Sequence, residues 1–280
     1  MSSTATTLSV QPIGGALGAE IHGVDLATEC SDETVAAIRA AWLEHLVVFF
    51  RDQELAPDRF LAFAQRIGEP VEYPFVRGID GYPEIITVAK LPHETVNFGG
   101  VWHSDTAYLA LPPMATMLAA REVPPSGGDT MWSNMYSAFS SLSPTMQELL
   151  RSLRAVNSSA LADVSKTRED RIRERGVEDE RVYEAEHPVV RTHPETGRAA
   201  LYVNPAHTAR FAGMTDEESA PLLQYLFSHA IRPEFTCRFR WEVGSVALWD
   251  NRCTWHNPLN DYHGHARVLH RITLAGDVPN

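Results

Sequence analysis

Residues 31–50, SDETVAAIRAAWLEHLVVFF, place two kinds of patterning side by side, and their reading decides the fold class. Val35, Ile38, Trp42, Leu43 and Leu46 recur at helical spacing behind a Ser31/Asp32 cap. The run Val47-Val48-Phe49-Phe50 that follows has no such period and reads as a buried strand. A chain that passes straight from an amphipathic helix into a buried strand is neither all-α nor all-β.

Working outward, Pro57 opens a second helix with Phe60, Phe63, Ala64 and Ile67 on one face and Gly68 as its stop. Ser143-Pro144 starts a third, carrying Met146, Leu149, Leu150 and Leu153. Thr215 and Glu218 form a capping-box pattern for a fourth, which has Pro221 inside it. The remainder is short β-prone runs around Ile85, Met117, Val189, Leu201, Val246 and Leu269, cut by Gly, Pro and Asn at spacings that suit a β-sandwich or barrel. The expectation is one α+β domain, mainly β, across residues 1–280. From Asp163 to Glu186 the chain is dense in Arg, Glu and Asp, which reads as a solvated segment or, over about 160–186, a lid above a site.

The chain is 44% apolar, with 24 basic against 36 acidic side chains and a net charge of −12. So acidic a balance offers no basic stripe for a phosphate backbone, so nucleic acid is not expected and a small-molecule partner is. Three widely spaced cysteines, Cys30, Cys237 and Cys253, suggest neither a disulfide framework nor a zinc ribbon and fit a cytoplasmic protein. No stretch approaches the ~18 apolar residues of a membrane span. Association into a homo-oligomer is left open.

Twelve histidines are the compositional feature that bears on chemistry. In Val101-Trp102-His103-Ser104-Asp105, His103 and Asp105 leave the same face if the segment is a strand. Such a pair alone means little, because chance supplies about 0.6 of them in a chain of this composition. His256, just after the strand-like Ser245–Trp249, is a candidate third member. Two imidazoles and one carboxylate on one face of a metal leave positions free, as non-haem Fe(II) requires, whereas a structural zinc wants four ligands. His263 and His265 offer a competing pair but sit in a turn-like Tyr-His-Gly-His loop.

In a strand from Arg267 to Thr273, Arg267, Leu269, Arg271 and Thr273 share one face, and Val268, His270, Ile272 and Leu274 form the other, which reads as core. Two guanidiniums then stand about 13 Å apart and, if they face an interior, need anionic partners. Those partners are either acidic side chains of the chain or an anionic co-substrate and substrate. Gly127-Gly128-Asp129-Thr130 reads as a hairpin turn whose threonine could donate to the same anion as Arg267.

These residues together resemble the taurine dioxygenase (TauD/TfdA) family of Fe(II)/2-oxoglutarate dioxygenases. The resemblance runs nearly end to end: Gly18-Ala19-Glu20-Ile21, Phe49-Phe50-Arg51-Asp52-Gln53, Trp102-His103-Ser104-Asp105, Gly127-Gly128-Asp129-Thr130, His187–Pro194, Leu201-Tyr202-Val203-Asn204, Trp249-Asp250-Asn251-Arg252, and the strand from Arg267 onward. It implies a double-stranded β-helix (jelly-roll) core with flanking helices and iron held by His103, Asp105 and His256. It further implies 2-oxoglutarate held by Arg267 and Thr130, dioxygen as oxidant, and succinate and carbon dioxide as products. Asp105, where halogenating relatives carry a small residue, implies hydroxylation of a C–H bond. Arg271 falls on an arginine that contacts a sulfonate, which implies an anionic headgroup. Tyr73, Gly99 and His207 stand where taurine-specific members carry a histidine, an asparagine and a phenylalanine, so the expected substrate is not taurine; Tyr73 and His207 are expected to touch it. Phe75, Tyr108, Met114 and Met117 are further candidates for an apolar pocket wall. The rival expectations are a zinc hydrolase on the same triad and a non-catalytic ligand-binding relative.

Overall fold

The computed structural model describes residues 8–74, 76–97, 99–161 and 182–280. Its largest sheet has nine strands, ordered β1 (Ser9–Pro12), β2 (Ala19–His22), β3 (Val47–Phe50), β15 (Val246–Asp250), β7 (Ala115–Glu122), β17 (Arg267–Leu274), β6 (Tyr82–Lys90) and β5 (Gly78–Ile79), with β4 (Pro70–Val71) pairing at the end of β17. Facing it is a three-stranded sheet, β14 (Thr236–Phe239), β8 (Thr130–Asn134) and β16 (Thr254–Pro258). Two further small sheets, β10 (Glu184–Pro188) with β9 (Arg154–Ser158) and β13 (Thr208–Phe211), and β11 (Val190–Thr192) with β12 (Ala199–Leu201), complete a mainly β, jelly-roll architecture. Among the described residues five helices flank it: α1 (Asp32–His45), α2 (Pro57–Ile67), α3 (Met135–Ser140), α4 (Pro144–Arg151) and α5 (Asp216–Ala230).

The continuous apolar run of β3 has a simple cause: both faces of the large sheet are covered. Val47 and Phe49 enter the core between the sheets, with Trp132, Leu118, Ala247 and Trp249, while Val48 and Phe50 enter a second core. There α1 contributes Ile38 and Trp42, and α2 contributes Phe60, Phe63, Ala64 and Ile67. Ser31 caps α1 by accepting from the Thr34 amide, and α1 ends where Leu46 turns left-handed (φ 65°) to start the strand. Both halves of the capping box at Thr215 and Glu218 are present, and α5 runs on through Pro221.

Several expectations are corrected. Met117 is fully buried and Met114 packs beside it in the second core, on the opposite face of β7 from the cavity lined by Leu118, because alternation sends neighbouring side chains to opposite faces. The loop containing Gly127–Thr130 does not close a hairpin: β7 pairs with β15 and β17, β8 with β14 and β16, so it crosses from one sheet to the other. The face of β17 opposite the arginines is core only from Ile272 onward; Val268 and His270 are half-buried. Phe75 and most of the segment read as a lid lie outside the described residues. Among those described, no helix is long and apolar enough to cross a membrane.

Candidate functional site

One end of the space between the two sheets collects His103, Asp105, His256, Arg267 and Arg271, whereas the competing His263 and His265 are exposed in the loop before β17. His103 lies in a loop rather than a strand, but a single antiparallel bridge binds it to β16: its amide donates to the His256 carbonyl (3.0 Å) and the His256 amide donates back (2.8 Å). The two imidazoles consequently stand with ring centres 4.1 Å apart. Their Nε2 atoms lie 3.7 and 3.9 Å from Asp105 Oδ1, and all three residues are buried. The His103 Nδ1–H donates to the Val101 carbonyl (2.7 Å), which leaves the lone pair of Nε2 facing the carboxylate.

Electrostatics keep this set in its ligating protonation state. Burial pushes both imidazoles below their ordinary range and so keeps them neutral. Burial also opposes ionisation of Asp105, but the Arg271 guanidinium above all, with the Thr116 hydroxyl, outweighs it and holds the carboxyl well below the usual carboxylate range. The three ligand atoms fall within 4.8 Å of one another. Neutral nitrogens and a carboxylate converging on one point fit a borderline divalent metal such as iron with coordination positions to spare.

A second buried group, His193, Asp250 and Cys253, is equally compact but fails the same test. His193 Nδ1 accepts from the amides of Glu195 and Thr196, so its proton is on Nε2 and is donated to Asp250 (3.0 Å). Arg252 occupies both oxygens of Asp250. That leaves His193 no lone pair for a metal and the Asp250 oxygens already engaged, while burial pushes the Cys253 thiol well up so that it stays protonated, and the group is a structural tie.

Arg267 and Arg271 share one face of β17, as their spacing predicted; that face points inward, and both are 5% exposed. Among the described residues no carboxylate lies within ion-pair distance of Arg267, and its Nε has no hydrogen-bond partner. Burial lowers its pKa to about 10, so it remains a cation at neutral pH. Arg267 donates to Thr130 Oγ1 (3.2 Å), which also accepts from the indole of Trp241 (3.0 Å). With both lone pairs engaged, the Thr130 hydroxyl has its proton to give to an anion. Gly128, at φ +70°, is what allows the arginine through: a Cβ there would sit 3.2 Å from Arg267 Cδ. Arg267, Thr130, Leu118 and Trp249 line one lobe of the cavity, and His103, His256 and Arg271 form its border.

The other lobe is walled by Tyr73, Asn97, Gly99, Tyr108 and His207, again with His103 and Arg271 at the border. Tyr73 and His207 thus line the same cavity as His103 and Arg271. The Arg271 guanidinium stands 4.8 Å from the Tyr73 ring centre, and its Nη2 is 3.1 Å from Asp105 Oδ1. Burial, then the neighbouring His103, depress His207 to about 3, so it is an uncharged wall and not a second cation. Gly99 sits against the His103 ring at φ +67°, and a Cβ there would lie 2.9 Å from Cε1. Gly99→Ala should therefore displace the imidazole and weaken Mn(II) binding about tenfold, as measured by metal titration; an unchanged affinity would show that the ring does not need this clearance.

Three contributors escaped the sequence reading. The Val101 carbonyl carries no side-chain signal, and Thr116 and Trp241 lie on segments that read only as strand and loop.

Comparison with known proteins gives a consistent picture. The family model for "Taurine catabolism dioxygenase TauD, TfdA family" matches residues 9–273. An alpha-ketoglutarate-dependent sulfate ester dioxygenase of Pseudomonas putida is 39% identical over 282 residues, which cover 98% of this chain and 92% of that protein. A taurine dioxygenase crystal structure from Burkholderia xenovorans superposes with a TM-score of 0.83 at 39% identity, covering 97% of this chain and 92% of that one. The structure of AAD-2 with Mn(II) and N-oxalylglycine gives 0.79 at 25% identity, covering 98% and 99%.

Proposed function

The chain belongs to the TauD/TfdA family and is a 2-oxoglutarate-dependent dioxygenase acting on small molecules, and from that premise we propose which of its residues carry the reaction. His103, Asp105 and His256 hold Fe(II); Arg267 and Thr130 hold the distal carboxylate of 2-oxoglutarate; Arg271, Tyr73 and His207 meet the substrate. The observation that carries the reading is a buried guanidinium, Arg267, without a carboxylate partner among the described residues, in a lobe bordered by the imidazoles of His103 and His256.

When bound, ferrous iron supplies the activation of dioxygen that couples decarboxylation of 2-oxoglutarate, to succinate and carbon dioxide, with hydroxylation of a substrate C–H bond. The protein's part is positioning. Arg267 and the Thr130 proton fix the far end of the co-substrate by charge-assisted hydrogen bonds, which sets where its oxo-acid end lies. The Val101 carbonyl sets the tautomer of His103. Arg271 offers its charge to an anionic headgroup at the border of the second lobe, while the apolar surfaces of Tyr73 and Tyr108 exclude water around the bond to be oxidised. The P. putida relative acts on sulfate esters, and a sulfate ester, sulfonate or carboxylate is the substrate class we assign. The reading extends to one domain across 1–280, a cytoplasmic location, and partners that are neither nucleic acid nor membrane. The two rival expectations, a zinc hydrolase and a non-catalytic relative, gain no support from the comparisons.

An anaerobic titration with Fe(II) and 2-oxoglutarate should produce a visible charge-transfer absorption. A screen of small sulfates, sulfonates and carboxylates in air should then stimulate succinate release. Turnover under argon without 2-oxoglutarate would sink the proposal.

A further inference from the structure

Asp105 is held by a chain of hydrogen bonds whose direction is fixed at every link. The indole Nε1–H of Trp249 donates to Asn251 Oδ1 (2.9 Å), the Asn251 amide donates to Thr116 Oγ1 (2.9 Å), and the Thr116 hydroxyl donates to Asp105 Oδ2 (2.6 Å). An indole nitrogen can only donate, so Asn251 must turn its oxygen toward Trp249 and its NH₂ toward Thr116. A hydroxyl that accepts from that NH₂ keeps its proton for the carboxylate. Ser104 adds a bond to the Asn251 carbonyl (2.7 Å), which ties the loop of Asp105 to the same residue. Trp249, Asn251 and Thr116 are 1%, 2% and 0% exposed, so water does not compete at any link.

The other oxygen of Asp105 faces the imidazoles, but it also faces Arg271, whose Nη2 is 3.1 Å away. A guanidinium is a planar fork that matches both oxygens of a carboxylate. A carboxylate free to turn would close a two-point pair with Arg271 and withdraw the lone pairs that a metal needs. We propose that Thr116, oriented by Asn251 and Trp249, is the positioning residue that keeps Asp105 from closing on Arg271 and so reserves Oδ1 for the metal. The inference rests on Asp105 being a metal ligand. Thr116 lies on β7, eleven positions from Asp105, outside every motif of the metal site.

The test is Mn(II) affinity, read from the EPR signal of the free aqua ion without substrate or turnover, beside the melting temperature of the metal-free protein. Thr116→Val should bind Mn(II) about 10- to 100-fold more weakly than wild type, and Thr116→Ser should return to within about threefold of it. With Arg271 replaced by leucine, the same valine substitution should cost less than about threefold, since the competing fork is gone. A valine variant that melts normally and binds like wild type overturns the proposal, as does a serine variant as weak as the valine one, or an undiminished loss in the leucine background. Should Thr116→Val not fold, Asn251→Ala decides: a loss of at least about threefold supports the chain and an unchanged affinity refutes it. His103→Ala separates the premise from the inference. If it binds Mn(II) as wild type does, the metal assignment itself has failed.

Discussion

Asp105→Ala should lower substrate-dependent succinate formation by about 10³-fold or more, roughly 4 kcal/mol of transition-state stabilisation. Three effects of the substitution act in the same direction. It removes the one anionic ligand of the triad, to which both Nε2 atoms are addressed. It strands the Thr116 proton. It also leaves Arg271, 5% exposed, without the carboxylate 3.1 Å away, so that a bare cation borders the place where a dication must bind. Metal content after dialysis against Fe(II) should fall together with succinate. Full succinate production with bound iron would mean that the metal is held elsewhere.

Arg267→Leu is the second large effect, and it should move stability and function in opposite directions. Loss of a buried charge-assisted contact to the 2-oxoglutarate carboxylate corresponds to about 3–5 kcal/mol, or a rise in KM for 2-oxoglutarate on the order of 10²- to 10³-fold. In the protein without co-substrate the arginine is a buried cation that burial already destabilises. Leucine, though shorter, removes that cost, so the melting temperature should equal or exceed that of wild type. Steady-state kinetics with 2-oxoglutarate varied, beside a thermal melt, give both numbers. An unchanged KM excludes Arg267 from the role, and a collapse in melting temperature would mean that its bonds to Thr130 are structural first.

The site was legible where chemistry follows the period of a strand. Arg267 and Arg271, four apart, could only share a face of β17, and the alternation of that strand puts both inward. His103 and Asp105 were found for a less secure reason: the strand expected there is a loop, and the pair converges because the backbone bridge to His256 holds it. The helix-to-strand passage at 31–50 was readable because the sheet is buried on both faces, which leaves Val47–Phe50 without any polar alternation. What could not be read are the relations set by topology. Nothing local in Gly127–Thr130 distinguishes a hairpin from a crossing between sheets, since the difference lies in which distant strands β7 and β8 choose. Met117 stood as a candidate for either pocket wall or core because its neighbours give no sign of which side faces the site. The bond from Asn251 to Thr116 spans 135 positions, and only the stacking of β15 beside β7 brings the two together.

The paired main-chain bonds between His103 and His256 also bear on how this scaffold can change. Neither bond involves a side chain, so the backbone spacing of the two histidines does not depend on the side chains that wall the cavity. Tyr73, Asn97, Tyr108 and His207 reach the cavity from separate loops and strand ends, and none of them is a party to that bridge. Pocket walls can therefore be exchanged one at a time, by selection or in the laboratory, while the metal-binding geometry is inherited intact. For a library built on this chain, Asn97, whose side chain donates to the Pro258 and Leu259 carbonyls and accepts from the Tyr262 hydroxyl, is kept, and Tyr73, Tyr108 and His207 are open to variation. Gly99 is not, because it gives the His103 ring its room.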